Sequence, residues 1–205
     1  MFRKLIIASA ILAATSTVAL ASSGPYIGGS VGVNSSTFTD TDNVATKAST
    51  DFGGRGAIGN LFAGYGAMVN SNIYLGGEAF ADLTNTSAEF KIPGLKKTIS
   101  QKYGYGISFI PGVMLSDHTM AYGRIGVIRS RFELATDVQD RSSTTKRQAL
   151  TGGQIGLGLQ TSLTQNLDLR GEYDYTRYRE AKFNDTNSIQ PRSDSFNLGL
   201  VYKFD

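Results

Sequence analysis

Cysteine and tryptophan are missing from this 205-residue chain, histidine occurs once and proline four times. Without cysteine there can be no disulfide, so stability must come from hydrogen bonding and burial alone. With His118 as the single imidazole and no thiol, the usual Cys/His ligand sets of zinc cannot be assembled, and no metal or cofactor is expected. Long apolar runs are also scarce. After the first twenty-odd residues nothing approaches the ~18 consecutive apolar residues of a membrane-spanning helix. Nor does one sign of charge dominate, with 20 basic residues against 17 acidic.

The one apolar run stands at the front, in "MFRKLIIASAILAATSTVALA". Arg3 and Lys4 precede the run from Leu5 to Ala14, and Ala19-Leu20-Ala21 supplies small residues around a cleavage point. This is the pattern of a secretory signal peptide over residues 1–21, which leaves one domain over residues 22–205. Without Arg3 and Lys4 the balance is 18 basic to 17 acidic, so no nucleic-acid partner is implied.

What the chain has is glycine, 24 residues of it, set inside alternating apolar segments. Eight such segments lie near 25–34, 55–66, 72–83, 102–115, 119–132, 147–163, 167–178 and 195–204. Ile27/Val31/Val33, Leu61/Ala63/Tyr65 and Leu198/Leu200/Tyr202/Phe204 are examples of the apolar phase, while the other phase carries Gly, Ser, Asn, Gln and charges. Period-two alternation predicts strands with two different environments. The links alternate too. "AMVNSN", "SDH" and "TQN" are short, whereas "SSTFTDTDNVATKASTDFGG" and "TDVQDRSSTTKRQ" predict long polar loops of about 15 to 20 residues. Tight turns on one side, long loops on the other and aromatics toward the strand ends predict an eight-stranded antiparallel up-and-down transmembrane β-barrel. Closure follows because an open sheet edge in lipid would leave backbone groups unpaired.

"GPYIGGSVGV", "LDLRGEYDYTRY" and the closing strand "NLGLVYKFD" resemble the small outer-membrane barrels of the OmpA, OmpX and opacity-protein type. The resemblance implies an integral protein of a Gram-negative outer membrane with both termini periplasmic. It also implies a C-terminal assembly signal, matched by Asn197, Gly199, Tyr202 and Phe204, that engages the barrel-assembly machinery. Adhesion or immune evasion occurs in relatives, so the loops are expected to meet a host or surface ligand.

Counting from the short turns places Glu78, Asp82, Asp168, Glu172 and Asp174 in the inward phase with Lys102, Arg124, Arg170 and Lys203. Glu78, Arg124, Arg170 and Glu172 are expected near mid-barrel, with Asp82 facing Lys102 toward the outer end and Asp168 facing Lys203 toward the periplasmic end. Buried ions are costly unless paired, so a mutual network that plugs the lumen is expected, with a narrow channel as the alternative. In the outward phase, Arg129, Arg131, Arg147, Arg177 and Arg179 fall at the external rim. Guanidinium groups match phosphate in bidentate fashion, and contact with lipopolysaccharide phosphates is expected there.

Catalysis finds little support. Ser116, Asp117 and His118 are adjacent in one tight turn, where triad geometry is rarely attained. "GYGISFIPG" and "GGQIGLGL" open no helix, so a phosphate-binding loop is not expected. The reading is a non-enzymatic barrel with a role in envelope structure and surface interaction. A soluble periplasmic lipid carrier is a third class, distinguished by extraction without detergent.

Overall fold

The computed structural model describes residues 23–42, 49–92, 95–138, 144–179, 181–184 and 187–204. The expected signal peptide lies outside the described residues. The strands are β1 (Gly24–Asp42), β2 (Ser49–Met68), β3 (Ile73–Ile92), β4 (Leu95–Ser116), β5 (Thr119–Val138), β6 (Thr144–Ser162), β7 (Leu167–Tyr178), β8 (Ala181–Asn184) and β9 (Asn187–Lys203). Each strand from β1 to β7 pairs antiparallel with the next, and β7 pairs with β9. The sheet closes where β1 meets β9, from Tyr26 opposite Lys203 to Asp42 opposite Asn187. The short β8 pairs with β9 beyond the end of β7, so eight strands make the wall. This is a closed, all-antiparallel, up-and-down barrel. Among the described residues no helix is long and apolar enough to cross a membrane, and the crossing is made by strands.

The alternation reads directly onto the wall. Val31, Leu61 and Leu157 are 72%, 68% and 72% exposed, on the outside. A water-soluble barrel would bury these side chains; here they form a continuous band that only hydrocarbon can cover favourably. Tyr103, Tyr105, Tyr173 and Tyr202 are exposed on the same surface, where amphipathic rings suit the membrane–water interfaces.

The long polar connections turn out to be mostly strand. Of the stretch from Ser35 to Gly54 only residues 43–48 separate β1 from β2, and only 139–143 separate β5 from β6. Thr, Ser and Asp on both arms extend the ladders, because backbone pairing continues into water once the strands are aligned. A 20-residue strand at ~3.4 Å per residue and ~45° tilt rises about 48 Å, nearly twice the ~25 Å apolar belt. The outer halves of the strands therefore stand clear of the membrane. The short links remain short: residues 69–72, 117–118 and 163–166 turn the chain at the opposite end, the periplasmic one in outer-membrane barrels.

Inside, the lumen is not uniformly polar. Tyr26, Phe62, Phe80, Ile128, Phe132, Leu150, Tyr178 and Val201 form one buried apolar cluster. Ile110, Met120 and Tyr122 form another, with Tyr74 and Met114 packed against it. Glycine makes room for these rings. A Cβ at Gly158 would run into the Tyr122 ring, and one at Gly64 would lie 2.6 Å from the Gly77 carbonyl and against the Tyr26 ring.

Candidate functional site

Three successive inward positions on β7, Asp168, Arg170 and Glu172, lie on the lumen face because they share one phase of the strand. Glu78 on β3 and Arg124 on β5 reach the same level from across the barrel. The side chain of Glu78 is fully buried. It accepts hydrogen bonds from Arg124 Nη2, from Arg170 Nη1 at 2.7 Å and from the Tyr26 hydroxyl at 3.1 Å. Arg124 also pairs through Nε with Glu172 at 3.1 Å and Asp174 at 3.6 Å, and its Nη1 donates to Ser108 at 2.8 Å. Glu172 accepts from the Tyr122 hydroxyl at 2.6 Å.

The network continues toward the short turns. Arg170 Nε and Nη2 both donate to Gln160 Oε1, at 3.0 and 2.8 Å, and Gln160 Nε2 donates to Asp168 at 2.6 Å. Asp168 meets Lys203 at 3.1 Å. Aromatic faces complete the shell: the Arg170 guanidinium lies 4.5 Å from the Phe62 centroid and 5.2 Å from that of Tyr122, and Arg124 lies 5.4 Å from that of Phe80. Buried ions in such a medium persist because each guanidinium has carboxylate, amide or π partners. The arrangement spans the lumen within the apolar belt, nearer the short-turn end than the outer end of the strands.

Lys102 does not belong to it. Its side chain is exposed, and Asp82 takes its hydrogen bond from Asn60 Nδ2 instead. The cause is a register shift. Gln101 pairs with Phe132 and Tyr103 with Arg131, which leaves Lys102 as an extra residue on β4. On the other side Leu83 pairs with Tyr103 and Thr86 with Gln101. A bulge inserts one residue and reverses the inside–outside phase beyond it. Gln101 therefore takes the inward place, with its amide donating to Tyr178 Oη at 3.2 Å. The described lumen holds five carboxylates against Arg124, Arg170 and Lys203.

The rim arginines are all exposed: Arg129 and Arg131 on β5, Arg147 on β6, Arg177 at the end of β7 and Arg179 just beyond it. Ten residues separate both Thr119 from Arg129 and Leu167 from Arg177, a rise of about 24 Å at ~45° tilt, which reaches the outer edge of the ~25 Å belt. Arg131 donates to the Tyr103 hydroxyl at 2.8 Å, and Arg147, held by Glu133 at 2.8 Å, stands higher on the wall. Two arginines of the same kind escape sequence reading. Arg192 sits opposite Arg177 on β9, and Arg55 is exposed on β2. Both share the outward phase of their strands, but both lie at or beyond the recognisable apolar segments, where the alternation gives way to polar residues.

Of the closing-strand residues, Asn197 is buried and its amide donates to Asp174 at 3.3 Å. Gly199 faces Ser30 so closely that a Cβ would meet its Cα at 2.8 Å. Tyr202 and Phe204 stand outside with their rings edge-to-face at 5.1 Å. His118 occupies the two-residue turn between β4 and β5, its N–H donating to Ser116 Oγ at 3.4 Å.

A protein-family profile described as "Outer membrane protein beta-barrel domain" matches residues 5–204. No curated protein matches the chain. Among solved structures, the outer membrane protease OmpT from Escherichia coli is 11% identical with a TM-score of 0.56, covering 92% of this chain and 99% of its own. A major outer membrane protein from Thermus thermophilus is 13% identical with a TM-score of 0.50, covering 84% and 99% respectively. Neisserial surface protein A is 19% identical with a TM-score of 0.47, covering 88% and 97%. At these identities the likeness is one of fold.

Proposed function

This chain belongs to the outer membrane protein β-barrel family, integral to the outer membrane, and from that membership we propose a non-enzymatic role in envelope structure and surface interaction. The observation that carries the reading is the plugged lumen: Glu78, Arg124 and Arg170 cross it within the apolar belt, all three side chains at most 4% exposed. A barrel closed in this way offers its outside and its outer end rather than a path. The strands that rise beyond the apolar belt present the surface on which a host or environmental ligand would dock. Planar-bilayer recording tests the plug. The refolded protein gives no current above that of lipid alone; discrete ohmic steps would favour the narrow channel instead.

The rim arginines support contact with lipopolysaccharide phosphates. Arg129, Arg131, Arg177 and Arg179, joined by Arg192 and Arg55, stand where the outer leaflet's phosphate layer begins, and Arg147 lies higher. Replacing Arg129, Arg131, Arg177 and Arg192 together by Ala should abolish the gain in heat stability that lipopolysaccharide confers over phospholipid. An unchanged gain would remove the rim from the account. For assembly, the outward Tyr202 and Phe204 with the inward Asn197 and Gly199 form the last strand's signal to the assembly machinery. Tyr202→Ala with Phe204→Ala should slow insertion in cells more than it slows spontaneous folding into vesicles.

A further inference from the structure

Three of the chain's four methionines, Met68, Met114 and Met120, line a single cavity of about 150 Å³ at the short-turn end of the barrel, and its only histidine, His118, lines it too. The topology brings them together. Met68 ends β2, and Met114 and Met120 are direct cross-strand partners flanking the turn that carries His118. Directly opposed residues in an antiparallel ladder have Cα atoms about 4.5–5.5 Å apart. The Met114 N–H donates to the Asn72 carbonyl at 2.9 Å, which ties the Met68 turn to the same mouth.

Methionine is commonly a gap-filler, a flexible chain that packs an irregular void. Met120 is buried beside Ile110 and Tyr122 with Met114 packed against that cluster, yet both, and Met68 with them, also border a void that stays open. The charged groups around the cavity are Asp117, Asp168 and Lys203. Lys203 is already paired with Asp168 at 3.1 Å, so the lining carries a net negative charge that suits a monovalent cation. Among the described residues no group of three His, Cys, Asp or Glu could hold a metal ion. Hard cations thus lack a ligand set among these residues, whereas thioethers are soft donors that select Cu(I), and an imidazole also suits copper. The missing thiols and second histidine are zinc ligands and do not bear on this set.

We propose that Met68, Met114 and Met120, with His118 at the edge, form a Cu(I)-binding site at the periplasmic mouth of the barrel. The thioether sulfurs coordinate the ion, the imidazole of His118 reaches it from the turn, and the carboxylate of Asp117 balances its charge. Binding requires no redox step. The site adjoins the lower end of the ionic network, whose Gln160, Asp168 and Lys203 share its lining, and lies at the opposite end from the arginine rim; it holds whether or not either has the role given above.

The test uses the refolded full barrel in detergent micelles, with Ag(I) as a redox-stable probe of the same softness and Cu(I) presented anaerobically against a colorimetric chelator. Expected are one Ag(I) per barrel and shifts of the 13C-methyl signals of Met68, Met114 and Met120. Met114→Leu and Met120→Leu should each weaken binding about tenfold or more, with heat-modifiable gel mobility showing that both variants are folded. Zn(II) should not compete. Unshifted methyl signals in the unsubstituted barrel would overturn the proposal without recourse to any variant. So would undiminished binding after all three methionines are replaced by Leu, or equal competition by Zn(II).

Discussion

Glu78→Gln removes a carboxylate that ion-pairs with two buried guanidinium groups. Arg124 keeps Glu172 at 3.1 Å and Asp174 at 3.6 Å. Arg170 loses its carboxylate partner and retains the Gln160 amide oxygen and the faces of Phe62, Tyr122 and Tyr26. Breaking a buried pair by removing one partner costs about 3–5 kcal/mol, because the other charge stays buried. Glutamine still accepts one hydrogen bond, so the lower end of that range, about 3 kcal/mol, is the expected loss. At an m-value of about 2 kcal/mol/M in urea, the midpoint falls by about 1.5 M. The measurement is the fraction of heat-modifiable, folded barrel across a urea series in phospholipid vesicles. Adding Arg170→Met completes a double-mutant cycle. The double variant should be more stable than the sum of the single losses implies by about 2 kcal/mol, since no orphaned charge remains. A single Glu78→Gln variant within about 0.5 kcal/mol of the unsubstituted protein would refute the plug as an energetic unit.

Further outcomes follow from the same geometry. Lys102→Ala should leave urea stability within about 0.5 kcal/mol of the starting protein, because the bulge turns that side chain outward; a loss as large as that of Glu78→Gln would restore it to the lumen. Gly32→Ala should cost about 1–3 kcal/mol, since a Cβ there meets the Phe196 carbonyl and the Asn197 side chain at the closing seam, whereas Gly59→Ala meets nothing within 4 Å and should be neutral. Lys203→Met should destabilise far less than Glu78→Gln, because the Lys203 side chain is 26% exposed and water can replace it beside Asp168. Paired urea titrations of each variant and its parent decide these three cases.

The alternation alone determined that this chain makes strands, which residues face outward within the apolar belt, and that both the short turns and the closing strand lie where they do. A period of two is a local property, set by the geometry of each strand, and it survives in the sequence wherever one face is apolar. Lys203 opposite Asp168 could be placed by counting from a turn for the same reason. Counting failed at Lys102, where one extra residue on β4 reversed the phase and no local signal marks the insertion. It also failed above the apolar belt, where both faces meet water and the pattern fades, so β1, β2, β5 and β6 ran on through stretches that read as loops. What only closure decided is the meeting of side chains far apart in sequence: Glu78 with Arg170, Tyr122 with Glu172, and Asn34 with Ser193. Those contacts depend on barrel diameter and stagger, which emerge when β1 pairs with β9 and are written in no single segment.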